Sequence, residues 1–205
     1  MAVSHLLARR SLLARAAFTL PLVALTLAGC GTGAKNDTYD LSAAMADGAG
    51  PAAKRSQILV PEPTALQALN SEQIVVRVSP SEIQYLARSQ WSDKLPRMVQ
   101  SKLVEAYENS GKLGGVGKTG QGLAIDYQVV TDIRAFEIDS SKGSQAVVEI
   151  SAKIINDRNG TVRAQKVFRA AVPAGGGAAD GMVKALDRSF SAVTTQIVDW
   201  TLQSI

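Results

Sequence analysis

The chain has 205 residues, 46% hydrophobic and 20% charged, with one cysteine, one histidine and a formal net charge of +4. That length suits one ordinary domain with a short appended segment. A single cysteine excludes a disulfide framework, and a single histidine excludes the usual zinc sites.

The N-terminal stretch has a basic flank at Arg9, Arg10 and Arg15, an apolar run from Ala16 to Leu27, and then Ala28-Gly29-Cys30. This is the three-part layout of an export signal. Small residues directly before a cysteine fit the lipobox of bacterial lipoproteins, where the thiol receives a diacylglycerol and the freed amine is acylated after cleavage. The expected organisation is a signal over residues 1–29, cut between Gly29 and Cys30, an acylated Cys30 with its tether over 30–37, and one domain over 38–205. The apolar run falls short of the roughly 20 residues a membrane span needs. The protein should therefore sit on a membrane through its acyl chains, each buried methylene contributing about 0.8 kcal/mol. Gly31 replaces the aspartate that often retains lipoproteins at the inner membrane. The outer membrane, with the domain facing the periplasm, is the expected location.

Removal of residues 1–29 takes away three of the 22 basic residues, none of the 18 acidic ones, and His5, the sole histidine. The remaining 19 cations and 18 anions leave a charge near +1. With no Lys/Arg block, nucleic acid is not an expected partner. Without histidine or free thiol, a Ser-His-Asp triad, a histidine base and a common metal site are all excluded. No catalytic residue, metal or cofactor is expected.

Along the chain, residues 38–41 read as a brief strand or docking segment, and 43–53, with Gly48, Gly50 and Pro51, as a flexible loop. Ile58-Leu59-Val60 is a short strand stopped by Pro61 and Pro63. Residues 73–79 form a β-branched strand, and 83–86 another extended piece. Ser92 or Asp93 can cap a helix with Pro96 in its first turn and Leu95, Met98, Val99, Leu103 and Ala106 on one face. Asn109-Ser110-Gly111 stops it.

Three strands and a helix follow. Leu123, Ile125, Tyr127, Val129 and Ile133 share one parity, and Phe136 and Ile138 the other, so a bulge or bend is expected near Arg134–Ala135. Residues 146–154 alternate cleanly, Asn159-Gly160 makes a tight turn, and a strand runs from Val162 to Val172 with Lys166 interrupting its apolar side. After Gly175-Gly176-Gly177, a long helix from about Asp180 carries the stripe Met182, Leu186, Phe190, Val193, Ile197 and Trp200. The order predicts an α+β single domain, a mixed, mostly antiparallel sheet packed against two amphipathic helices. The strand at 73–79 and the strand beginning near Leu123 should be parallel, joined through the first helix.

Two motifs resemble functional sites and fail on context. Residues 114–120 spell part of a phosphate loop, but Lys112 stands where a P-loop needs glycine. Gly115-x-Gly117-x-x-Gly120 spells a dinucleotide fingerprint, yet a helix precedes and a strand follows, the reverse of what phosphate binding needs. The segment reads as a mobile connection. Asp126, Asp132, Glu137 and Asp139 read as the solvated face of a strand and not as a carboxylate pair. Trp91 either locks a helix onto the sheet or anchors a partner from a rim.

Residues 74–78, then Ile83-Gln84-Tyr85-Leu86, Trp91-Ser92-Asp93, Leu95-Pro96-Arg97, Asp126-Tyr127-Gln128-Val129, Ile133-Arg134-x-Phe136, Phe168 and Trp200-Thr201-Leu202 together resemble the ABC-type transport auxiliary lipoproteins. These are similar to the paraquat-inducible protein C lipoproteins. The resemblance implies a non-catalytic lipoprotein serving an ABC transporter (ATPase and permease) whose periplasmic component is an MCE-domain protein, moving lipids or other hydrophobic molecules between inner and outer membranes. The alternative is a lipoprotein that carries lipid cargo itself, in an apolar cavity between sheet and helices.

Overall fold

The computed structural model describes residues 36–44, 50–141, 143–175 and 177–205. The lipobox, the tether up to Lys35 and residues 45–49 of the expected loop lie outside the described residues. Strand β1 spans Asp37–Tyr39, β2 Ala53–Leu59, β3 Thr64–Ala65, β4 Gln73–Ser79 and β5 Glu82–Trp91. Helix α1 (Leu95–Ser110) leads to β6 (Leu113–Gly117), β7 (Tyr127–Asp139), β8 (Gln145–Asn156), β9 (Val162–Pro173) and helix α2 (Ala179–Ser204). All nine strands join one sheet, and both helices among the described residues pack on it, giving the expected α+β domain.

Strand β7 organises this sheet. One of its edges runs antiparallel to β8 over its whole length, from Tyr127↔Asn156 to Asp139↔Gln145. Its other edge meets three short strands in turn, all parallel: β2 at Ile58↔Tyr127, β3 at Thr64↔Asp132 and β4 at Val75↔Glu137. The β4–β7 pairing is the expected parallel crossover through α1, and β7, β8 and β9 form the expected antiparallel meander. The β7–β8 register shifts between Ile133 and Ala135, so Arg134 is the extra residue of a bulge. A two-residue period cannot change phase otherwise. The bulge lets Val129 and Ile133 before it, and Phe136 and Ile138 after it, all enter the same core.

Helix α1 buries every residue of its expected stripe, and also Val104 and Tyr107. Its cap differs from expectation. Lys94 holds the N-cap position, with no side-chain capping bond. Ser92 is engaged elsewhere, its N–H donating to the Tyr39 carbonyl, while the Asp93 carboxylate accepts from Lys94 N–H at 2.6 Å. Gly111 ends the helix at φ +59°, a left-handed value that favours glycine. On α2, Leu186, Phe190, Val193 and Ile197 are fully buried, flanked by half-buried Met182 and Trp200.

Three further expectations are corrected. Residues 113–117 are not a mobile connection but strand β6, parallel to β2. Gly114 passes so close to β2 that a Cβ there would sit 2.4 Å from the Lys54 carbonyl oxygen. The glycines serve backbone approach, a constraint that does not show in a motif reading. Leu123 and Ile125 stand before β7 and not within it, with Leu123 exposed. Finally, β2 begins at Ala53, earlier than its apolar residues alone suggested.

Candidate functional site

Nothing in the structure bears on Cys30 and Gly29, which precede the described residues. At Asn36 the chain is already fixed to the sheet. Asn36 Nδ2 donates to Gln90 Oε1 at 2.9 Å, and β1 pairs parallel with the end of β5 from Asp37↔Ser89 to Tyr39↔Trp91. Leu41 and Ala44 are then buried, and Ser42 N–H donates to Asp187 Oδ1 on α2 at 2.8 Å. Residues 38–41, expected as a strand or docking segment, are thus a strand and its buried continuation.

Trp91 is 1% exposed and meets Phe136 edge-on, ring centroids 5.7 Å apart at 88°. Phe136 in turn lies 5.7 Å from Phe190 of α2. The reading of Trp91 as a rim aromatic that anchors a partner is therefore set aside in favour of packing, because the ring shows no surface. The same aromatic chain fills the space between sheet and helices where a cargo cavity would lie.

The sheet face away from the helices carries a mixed row of apolar and charged side chains. Side chains alternate along strands, so the register places Tyr85, Val75, Glu137 and Val147 in one row across β5, β4, β7 and β8 on that face. Val75 and Val147 are buried within it, whereas Tyr85 is 43% exposed and Ile83 38%. Arg77 grips Glu137 with two bonds, Nε to Oε1 at 2.5 Å and Nη2 to Oε2 at 2.9 Å. The Glu137 hydrogen bond holds the Arg77 guanidinium above its ordinary pKa, so it stays charged throughout. Glu137 is only 6% exposed. This corrects its expected place on a solvated face: neutralised by Arg77, a carboxylate can sit between two valines.

Asp126 and Asp132 do not assemble with it, whereas Asp139 faces Arg77 across the β4–β7 pairing and helps to hold its charge. Asp126 Oδ2 accepts from Gln57 N–H and Oδ1 lies 3.4 Å from Arg158; Asp132 accepts from the Thr64 hydroxyl; Asp139 accepts from Ser141. Each fixes local structure. Among the described residues, no three His, Cys, Asp or Glu side chains are placed to hold a metal ion, and no helix is long and apolar enough to cross a membrane. Lys166 lies with its ammonium 5.2 Å from the centroid of the Phe168 ring, which stacks edge-on with Trp200. Its place on the apolar side of β9 is thereby explained by a cation–π contact at the rim.

Comparison with known proteins agrees with this picture. An uncharacterized protein from Bradyrhizobium diazoefficiens is 28% identical over 184 residues, covering 87% of this chain and 48% of the relative. The chain thus spans about half the length of the curated relative it matches. A crystal structure of a protein from Xanthomonas campestris superposes with a TM-score of 0.76 at 28% identity, covering 82% of this chain and 95% of that one. A hypothetical protein from Chlamydia trachomatis shares the fold at 8% identity, with a TM-score of 0.52 and coverage of 73% and 96%. Residues 39–198 match the family described as the ABC-type transport auxiliary lipoprotein component, and the chain belongs to that family.

Proposed function

We propose that this chain is a lipid-anchored accessory of an ABC transporter whose periplasmic component is an MCE-domain protein, and that the system moves lipids or other hydrophobic molecules between the two membranes. Residues 1–29 are removed, Cys30 becomes the acylated first residue, the residues up to Lys35 form the tether, and the domain that begins at Asn36 faces the periplasm from the outer membrane. The observation that carries this reading is the family match over residues 39–198, placed directly behind the lipobox at Leu27–Cys30.

The domain acts by docking and not by chemistry. Asp126, Asp132 and Glu137 are each committed to local bonds. Docking is also favoured over cargo carrying, because Trp91, Phe136 and Phe190 occupy the interior between sheet and helices. Purification of the full chain from envelopes, with transporter subunits and co-purified lipid scored by mass spectrometry, tests both points. Recovery of the MCE-domain protein, with lipid no more abundant than in a bulk-membrane control, is the expected outcome. Stoichiometric lipid without any transporter subunit would replace docking by carrying.

A further inference from the structure

The β4–β5 hairpin ends in an apolar tip. Val78, Ile83 and Tyr85 are 37%, 38% and 43% exposed, and Pro80 in the turn is exposed as well. Single exposed apolar residues are normal on a surface, but these gather at one place. The register Arg77↔Ile83 and Val75↔Tyr85 puts Ile83 and Tyr85 on the open face, and alternation puts Val78 on the other. The tip is also braced. Arg77, gripped by Glu137, donates from Nη1 to the Pro80 carbonyl at 3.4 Å, and Ser140 N–H donates to the Arg77 carbonyl at 2.9 Å. Its charges are engaged locally, because Glu137 neutralises Arg77 and Glu82 accepts from Gln84 Nε2 at 3.2 Å.

The course of the chain into the domain brings the expected anchor to the same side. Strand β1 runs parallel to β5, so the chain reaches Asp37, level with Ser89, from the side of the hairpin tip. Fully extended, residues 30–35 reach at most roughly 20 Å. From Ser89 back to Glu82, β5 covers less than about 24 Å. An acylated Cys30 therefore holds the bilayer within one tether length of Asn36, and the hairpin tip stands about that far away. Val162 and Val167, also exposed, lie on β9, with β4, β7 and β8 between them and this side.

We propose that Val78, Ile83 and Tyr85 at the β4–β5 tip dip into the lipid surface that holds Cys30. This rests on the acylation of Cys30 in the reading above. Three partly exposed side chains hold a bilayer weakly, and the anchor supplies the high local concentration that makes their contact persist. The anchor then sets the distance of the domain from the membrane, and the tip sets its orientation. The Tyr85 ring suits the headgroup level, where amphipathic aromatic residues gather. The contact uses side chains and leaves the backbone edge of β5 out of account.

The test uses the full processed chain, purified in detergent and returned to phosphatidylcholine vesicles with brominated acyl chains. Acylated Cys30 has no free thiol, so an environment-sensitive fluorophore can be attached at Ile83→Cys, with Val162→Cys on β9 as the reference. The label at Ile83→Cys should shift to the blue and be quenched several-fold more than at Val162→Cys. High salt should leave this unchanged, since the contact is apolar. Tyr85→Cys carries the same test if Ile83→Cys does not fold. A folded, vesicle-bound chain whose label is quenched no more than at Val162→Cys would overturn the proposal and leave the anchor standing. Quenching lost in high salt would overturn it too, as would a blue shift without quenching, the mark of a second copy or another protein over the tip. A chain that does not float with the vesicles would overturn anchor and tip together.

Discussion

Tyr107 of α1 donates its hydroxyl hydrogen to Thr201 Oγ1 of α2 across 2.7 Å, because Thr201 spends its own hydrogen on the Ile197 carbonyl at 2.8 Å. Both residues are fully buried, so this bond satisfies two hydroxyls that would otherwise be stranded in the core. Tyr107→Phe should therefore cost about 0.5–1.5 kcal/mol, the net worth of one such bond. Urea unfolding at neutral pH measures it.

Burial of the same phenol sets an alkaline limit. Burial pushes the Tyr107 phenol well above its ordinary value of 10.0, against a smaller opposing effect of the Thr201 bond. The folded state keeps the proton where the unfolded chain releases it, so the contribution is intact below pH 10 and falls as pH rises beyond it. The slope is about 1.4 kcal/mol per pH unit for one proton. Denaturant midpoints of the native chain should thus fall more steeply above pH 10 than those of Tyr107→Phe. Parallel curves for the two would contradict the assignment.

On the open face, Arg77→Ala leaves Glu137 buried without its two-pronged partner, whereas Glu137→Gln leaves an arginine that is one-third exposed in its side chain and can reach water. Breaking a fully buried pair costs about 3–5 kcal/mol, and the partial exposure of Arg77 reduces this. The expected order is about 2–3 kcal/mol for Arg77→Ala and less for Glu137→Gln. Equal losses would mean that charge burial at Glu137 is not what matters.

The bulge at Arg134 has a sharper consequence than any substitution nearby. Deleting Arg134 removes the extra residue, so β7 and β8 would pair in one continuous register while Phe136, then two positions after Ile133, and Ile138 keep facing the core. Both stay buried, so the deletion should keep cooperative unfolding and cost about 1–3 kcal/mol through the lost local geometry. Arg134→Ala keeps the residue count and should change stability by less than about 1 kcal/mol. Thermal unfolding followed by circular dichroism separates the two.

The glycine-rich segment gives a similar contrast. Gly114→Ala drives a Cβ into the backbone of β2 and should cost about 1–3 kcal/mol, whereas Lys118→Ala should leave stability and transport unchanged. A transport defect in a stable Lys118→Ala chain would reopen the nucleotide reading that the order of helix and strand rejects.

How much of this was legible follows from which forces act locally. Periodicity located α1, α2, β4 and β8 closely, because each buries one face against the core and the pattern records it. The Arg134 bulge was legible for the same reason, as a change of phase. Strands β3 and β6 were not, since two-residue or glycine-rich strands carry no pattern and are defined by the neighbours they pair with. The N-cap was misread because Ser92 is committed to β1, 53 positions away at Tyr39, a contact no window of sequence contains. Glu137 was misread because its burial depends on Arg77, 60 residues distant. Trp91 could be placed in either of its two readings from sequence, and only Phe136 decides between them.

The central claim is that Cys30 anchors a docking domain to the envelope for an ABC transporter. Its most direct test is affinity purification of the full chain from detergent-solubilised envelopes, beside a Cys30→Ser chain, with transporter subunits quantified in each. The account predicts that the native chain is membrane-bound and retains the MCE-domain protein, whereas Cys30→Ser is folded, no longer sediments with membranes, and retains several-fold less of that partner. A Cys30→Ser chain that still sediments with membranes and holds the same partner in equal amount would contradict it, as would a native chain that holds no transporter subunit.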